Sequence, residues 1–243
     1  MSVLLEVKNL KKQFGGLVAV NGVDMRIAEG EVIGLLGPNG SGKTTVMNLI
    51  SGALTATSGE VLLRGRPVQA MAAHLRAREG ISRTFQLVRL APSLSAGDNI
   101  ILTLAFGRKP IWGRAARERA EQVLASVGLA GQGGATVQSL NYIDQKRLEL
   151  ARAIAPFPDL LLLDEWLAGL NPTELRTGIE LIRSLERTGV TILLVEHIME
   201  AVRELCPRAI VMSAGAVIAD GPTAEVLADP QVVAAYLGDF EHA

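Results

Sequence analysis

Short apolar or alternating runs, broken by glycine, occupy residues 4–7, 17–20, 23–27 and 32–36. That spacing predicts antiparallel strands leading into a larger core. Residues 31–36 read as a buried strand, and residues 43–51 predict a helix with Val46, Leu49 and Ile50 on one face. Further strands are expected over 60–63 and 81–85, with a helix over 68–78 between them. From Ser95 to Val127 the period is helical, interrupted at Gly107 and Pro110 and resuming at Ala115. Helices over 143–155 and 173–188 then alternate with strands over 160–163 and 191–195, and residues 210–212 form a strand after a short helix. Alternation of this kind predicts a parallel sheet covered by helices. The expected fold is α/β: a core with a parallel sheet, an N-terminal antiparallel β-subdomain and an α-helical insertion. Residues 1–243 form one domain, its core about 1–86 and 156–243, its helical part about 87–155.

Between the strand over 31–36 and the helix over 43–51 stands Gly37-Pro38-Asn39-Gly40-Ser41-Gly42-Lys43-Thr44, which fits G-x-x-x-x-G-K-[ST] at every required position. Gly37, Gly40 and Gly42 let the backbone curl so that its N–H groups face inward at a helix N-terminus, a nest for a polyphosphate. Lys43 would reach the β- and γ-phosphates, the Thr44 hydroxyl would coordinate Mg²⁺, and Thr45 adds a donor. The plainer alternative is a glycine-rich turn that only caps a helix. Strand, loop and helix in this order favour nucleoside triphosphate binding.

At 243 residues the chain can bury a sizeable core without disulfides or structural metals. Its one cysteine, Cys206, excludes an internal disulfide and a cysteine-based zinc cluster, and reads as a small core residue. Twenty-four basic residues against twenty-five acidic ones argue against a general nucleic-acid partner. No apolar run approaches the roughly 18 to 20 residues needed to cross a bilayer, so a soluble, unexported chain is expected. Even so, 49% hydrophobic residues and a mean hydropathy of +0.29 are high, and suggest apolar surface kept for a partner.

The apolar run at 160–163 ends in Asp164-Glu165, which puts two carboxylates at the C-terminal edge of the sheet, where such folds bind ligands. Asp164 would hold Mg²⁺ through its water shell, and Glu165 would polarise a water for in-line attack. An acidic pair after a strand is by itself more often a solvated loop; the phosphate loop upstream changes that. His197, after the strand over 191–195, would orient the water or donate to the γ-phosphate, and Gln86, at the end of the strand over 81–85, would sense metal or water. Either is otherwise an ordinary turn residue.

Over essentially its whole length the chain resembles the ATPase subunits of ABC transporters. Phe14, 23 residues before Gly37, matches the aromatic residue that stacks on adenine in that family. Arg83-Thr84-Phe85-Gln86 looks like its Q-loop, residues 160–165 like its Walker B strand, Ala168-Gly169-Leu170-Asn171 like its D-loop, and Glu196-His197 like its switch histidine. Residues 14–21, the Arg-Thr-Phe-Gln run, residues 168–172 and the ending Ala234-Ala235-Tyr236-Leu237-Gly238 resemble the branched-chain amino-acid importer branch. The resemblance implies ATP and Mg²⁺ as ligands and hydrolysis coupled to an integral membrane permease. It also implies an indirect partnership with a substrate-binding protein, and a cytoplasmic, peripheral position on the inner membrane face.

The family's signature, Leu-Ser-Gly-Gly-Gln or Leu-Ser-Tyr-Gly-Gln, is altered here to Leu140-Asn141-Tyr142-Ile143-Asp144. Asn141 replaces a hydroxyl donor with an amide, Ile143 puts a branched Cβ where glycine admits phosphate, and Asp144 brings a negative charge. One unit-charge repulsion at about 4 Å and an effective dielectric near 20 is on the order of 4 kcal/mol. Family subunits pair head to tail, each nucleotide lying between one phosphate loop and the other subunit's signature. The chain's own site therefore looks complete, whereas Asn141, Tyr142 and Ile143 would serve the partner's nucleotide poorly, so a heterodimer is expected. The same weakness admits a regulatory, nucleotide-binding scaffold as a second reading. Trp166, where the family usually has proline, either packs at the dimer face or fills the core, and Ile198 replaces a frequent aspartate. Residues 87–92 either join the groove for a membrane-subunit helix or are buried. The basic stretch over 108–119 reads as a solvated helix face, with acidic lipid or permease loops as the alternative.

Overall fold

Runs of five residues without an exposed position become the centre of the main sheet: β3 (Val32–Leu36), β7 (Leu160–Asp164) and β8 (Thr191–Val195) are buried throughout. A strand covered on both faces reads as continuously apolar rather than alternating. The computed structural model describes residues 2–237. Its six-stranded sheet has the order β10-β9-β3-β8-β7-β6, with β6 (Ile81–Arg83), β9 (Arg208–Ser213) and β10 (Ala216–Pro222); all neighbours are parallel except β10 on β9. Leu160 and Leu162 of β7 face one apolar cluster, Leu161 and Leu163 the other.

The first cluster lies between this sheet, α1 (Lys43–Ser51) and a four-stranded antiparallel sheet ordered β2-β1-β4-β5, made of β1 (Val3–Phe14), β2 (Leu17–Ala28), β4 (Ser58–Leu63) and β5 (Arg66–Pro67). The second is covered by α6 (Pro172–Glu186) and α7 (Met199–Leu205), with Trp166 and Cys206 inside it. A third joins α3 (Ala96–Phe106), α4 (Gly113–Ser126) and α5 (Tyr142–Ile154) into a helical unit. Leu150 and Ala153 of α5 belong to the second cluster while Leu148 and Ala151 belong to the third, so α5 joins the two bodies.

Several elements differ from expectation. The two strands expected over 17–20 and 23–27 are one strand, because Gly22 takes φ 70 and is absorbed within the β1–β2 pairing instead of ending the strand. The helix expected over 68–78 is only α2 (Ala73–Arg78): the Val68 N–H bonds to Val61 C=O, which keeps that stretch in the sheet edge. The strand expected over 81–85 stops at Arg83, so Gln86 stands on a loop. β5, β10, α8 (Thr223–Ala228) and α9 (Pro230–Leu237) add to the expected elements. The β9–β10 hairpin turns through Ala214 and Gly215, both at positive φ, and alanine there gives none of the usual Asn-Gly turn signal.

Candidate active site

Because β3, β8, β7 and β6 are adjacent and parallel, the segments leaving their C-terminal ends meet on one edge of the sheet. The loop after β3 is shaped for glycine. A Cβ on Gly37, at φ 140, would lie 2.1 Å from Met212 C=O, and one on Gly42, at φ 101, would lie 2.5 Å from Ala19 C=O. Gly42 is the N-cap of α1 and no side chain caps it. Lys43, almost fully buried, donates from Nζ to Gly37 C=O at 2.7 Å and Pro38 C=O at 2.8 Å, with Ser41 Oγ at 3.5 Å. The loop is thus wound around its own ammonium, with Asn39, Gly40 and Thr44 exposed and Thr45 half-buried. The Gly37 N–H donates to Tyr236 Oη at 2.8 Å, which ties α9 to the loop.

Register brings the carboxylates alongside. Asp164 pairs with Val195 across β7 and β8, and the Glu165 N–H donates to Val195 C=O at 2.8 Å. Glu165 has φ 50, a left-handed backbone that is uncommon away from glycine and asparagine and is found at functional turns. Its side chain is held from both sides: Gln86 Nε2 donates to Oε2 at 2.9 Å, and His197 Nε2 lies 3.0 Å from Oε1. A carboxylate only accepts, so His197 Nε2 carries the proton in this contact. Each oxygen keeps a second lone pair for a water.

Asp164 is buried and pairs with Arg83, whose Nη2 lies 3.2 Å from Oδ2. Oδ1 is buried with no hydrogen-bond partner. Burial pushes the Asp164 carboxyl up, and the Arg83 charge pulls against that. A hard oxygen left unmatched at a phosphate loop fits a hydrated Mg²⁺, which Thr44, Gln86 and Asp164 could hold through their oxygens.

The turn after Glu165 is clasped to α5. Lys146 Nζ donates to Trp166 C=O at 2.8 Å and Ala168 C=O at 2.6 Å, while Trp166 Nε1–H donates to Lys146 C=O at 3.1 Å. Trp166 is 1% exposed, so within this chain it fills the core. Glu196, equally buried, accepts from the Leu167 N–H at 2.6 Å, and burial pushes its carboxyl up to about 7. Asn171 of the same turn caps α6 reciprocally with Glu174.

Among the remaining sequence-derived residues, Tyr142 has the Lys146 ammonium 5.2 Å from its ring centroid. Phe14 is an exposed ring with Lys12 Nζ 4.9 Å from its centroid. Asn141 caps α5, its Oδ1 accepting the Asp144 N–H at 2.9 Å; Tyr142 is exposed and Ile143 half-buried. Asp144 does not stand as a bare charge, because Arg147 Nη1 lies 3.0 Å from its Oδ1, which offsets much of the repulsion expected of it. Leu87 is exposed, and Leu90 packs on the helical cluster. In the basic stretch Arg108 binds Asp159 and Arg119 stacks on Phe157 at 4.1 Å; only part of it is a solvated face. Gly238 lies outside the described residues.

Sequence reasoning gave no role to Arg83, Lys146, Glu196 or Tyr236. Arg83 and Glu196 stood beside named residues, which was a usable signal; nothing local ties Tyr236 to Gly37 across the chain.

The family described as ABC transporter matches residues 20–168, and that described as branched-chain amino acid ATP-binding cassette transporter matches residues 216–242. The chain is 38% identical to the high-affinity branched-chain amino acid transport ATP-binding protein BraF of Pseudomonas aeruginosa, over 97% of this chain and 98% of that protein. It is 35% identical to the lipopolysaccharide export system ATP-binding protein LptB of Acidithiobacillus ferridurans, over 98% of each. Among solved structures, the ADP conformation of MJ1267, an ATP-binding cassette of an ABC transporter, superposes with a TM-score of 0.88 at 28% identity, over 98% of this chain and 100% of that one. The chain therefore belongs to the ATP-binding subunits of ABC transporters, a family of transport-coupled ATPases, and is similar to those of branched-chain amino acid transport.

Proposed function

We propose that this subunit binds Mg·ATP at its own phosphate loop and hydrolyses it to energise a membrane permease importing branched-chain or related amino acids. The observation that carries the chemistry is Glu165, held between Gln86 and His197 and next to Asp164 at the sheet edge that carries the phosphate loop. In this reading Phe14 stacks on adenine, while Gly37, Pro38, Asn39, Gly40, Ser41, Gly42, Lys43, Thr44 and Thr45 cradle the phosphates. Bound Mg²⁺, held by Thr44, Gln86 and Asp164, would neutralise charge on the phosphates. Glu165 takes a proton from the attacking water, and Gln86 and His197 fix its carboxylate for that step. Hydrolysis then releases a closed dimer, with residues about 87–155 moving as the helical part of one domain.

The partners assigned are a second ATPase subunit, head to tail, and permease subunits, with a substrate-binding protein indirectly; the place is the cytoplasmic side of the membrane. No helix among the described residues is long and apolar enough to cross a membrane. Amino-acid cargo is supported by the relative BraF, whereas LptB serves a lipopolysaccharide export system. Purification with the accompanying membrane proteins, followed by uptake of leucine into vesicles, tests the cargo; no ATP-dependent uptake would refute it.

The altered signature supports a heterodimer. Asn141 uses its oxygen to cap α5, so its amide nitrogen remains the donor available to the partner's phosphate. The Ile143 Cβ still restricts approach, and this is also the feature that favours a regulatory scaffold with little turnover. In the reconstituted complex, Glu165→Gln should lower hydrolysis about 10²- to 10⁴-fold. If turnover survives it while the equivalent change in the partner abolishes turnover, the competent site has been assigned to the wrong loop, and the scaffold reading takes its place.

A further inference from the structure

Arg83 precedes Gln86 by three residues and is among the most heavily engaged side chains near the site. Its Nη1 donates to Asn48 Oδ1 at 2.5 Å and Ser51 Oγ at 3.1 Å, both on α1, the helix that opens at the phosphate loop. Nε donates to its neighbour Thr84 C=O at 3.1 Å, and Nη2 to Asp164 Oδ2 at 3.2 Å. The guanidinium also lies 4.5 Å from the centroid of the Phe85 ring, and Arg89 lies 4.4 Å from the same ring. Both ends of the Arg83–Asp164 pair are covered: the side chains are 10% and 2% exposed.

So many anchors leave the guanidinium one position. Asn48 and Ser51 hold it to α1, and the Phe85 face holds its plane. It therefore fixes the rotation of the Asp164 carboxylate, taking one oxygen and leaving the other. The oxygen left is Oδ1, buried and without a partner. A buried acceptor left unmatched in a folded protein calls for an explanation, and an absent metal shell is one.

We infer that Arg83 is a positioning residue for the metal: it grips Asp164 Oδ2 so that Oδ1 is presented to the hydrated Mg²⁺ of Mg·ATP. The inference rests on the reading of Asp164 as a metal-facing carboxylate. Lysine cannot replace it fully, since one ammonium cannot bridge Asn48, Ser51 and Asp164 while lying flat on Phe85. Groups that orient a metal ligand typically contribute 10- to 100-fold to metal affinity or activity.

Mn²⁺ binding, followed by electron paramagnetic resonance with ATP saturating, tests this in the full chain. Arg83→Gln should raise the Mn²⁺ midpoint by about tenfold and Arg83→Lys by about threefold, while ATP binding in EDTA stays within twofold of wild type. The lysine variant, which keeps the charge, carries the test if the glutamine variant fails to fold. Midpoints within twofold of wild type, or an equal loss of ATP binding in EDTA, would overturn the inference. Asp164→Asn separates the two levels: if it shifts the Mn²⁺ midpoint and the Arg83 variants do not, only the role of Arg83 falls. If Asp164→Asn has no effect either, the reading of the metal site falls with it.

Discussion

The phosphate-loop edge and the turn before α5 are built on opposite principles. At the edge, groups are left with unmet demands: Asp164 Oδ1 is buried without a partner, Glu165 has a left-handed backbone, and Gly37 and Gly42 leave space that no Cβ could enter. At the turn, the polar side chains satisfy one another: Asn141 caps α5 through the Asp144 N–H, and Asp144 pairs with Arg147. A site shaped for a ligand keeps strain and unmatched groups that the ligand resolves. A surface that has settled its polar groups locally has less to offer one. In the proposed reading, the contrast separates a loop that receives nucleotide from a turn that serves only a partner's.

The two regions are nevertheless joined. The Lys146–Trp166 clasp connects the segment after Glu165 to the helix whose first turn is the altered signature. Trp166→Ala should have the largest effect, because it empties a core position and removes one of the reciprocal bonds; a loss of about 3 to 5 kcal/mol in urea unfolding is expected. Trp166→Phe, which keeps most of the bulk and loses the indole N–H, should cost about 1 to 2 kcal/mol. A loss below about 1 kcal/mol for the alanine variant would mean that the regions are held together elsewhere.

Glu196 gives the join a pH dependence. Between about pH 4.5 and 7 the unfolded chain releases this proton while the folded chain retains it, so stability falls as the pH rises through that window and levels off above it. The loss is on the order of 3 kcal/mol, net of the Leu167 and His197 N–H groups and the Lys146 ammonium, which favour the charged form. Glu196→Gln keeps an acceptor for the Leu167 N–H and should flatten this component. Melting curves at pH 5 and pH 8 check it: parallel pH trends in wild type and variant would remove Glu196 from the account.

What the sequence made legible follows from how local each signal is. Strands buried on both faces, such as β7 and β8, announce themselves as apolar runs, and the phosphate loop is a contiguous motif whose glycines and lysine act within a few residues of one another. Gln86, Glu165 and His197 could be placed because each follows, within three residues, a strand that the sheet lines up. Adjacency to named residues marks Arg83 and Glu196, but what they and Lys146 do depends on partners 81, 29 and 20 residues away that only the fold brings together. The repulsion expected of Asp144 is reduced for a nearer reason: Arg147, three residues along the same helix, pairs with it.

The smallest effect expected lies at the turn itself. If the Ile143 Cβ restricts the partner's γ-phosphate, Ile143→Gly combined with Asp144→Gln should raise hydrolysis at the partner's site by up to about tenfold, roughly 1.4 kcal/mol of barrier. Two costs work against it. A glycine in the first turn of α5 weakens the helix by about 1 kcal/mol relative to alanine, and Arg147 loses a pair worth under about 1 kcal/mol because both side chains keep contact with solvent. Neither touches this chain's own loop, so its ATP affinity should not change. Hydrolysis measured in the assembled complex, with Glu165→Gln silencing this chain's own site, isolates the gain. Unchanged turnover there would mean that Asn141 already supplies what the partner's nucleotide needs, and the contrast between the two regions would be one of construction rather than of competence.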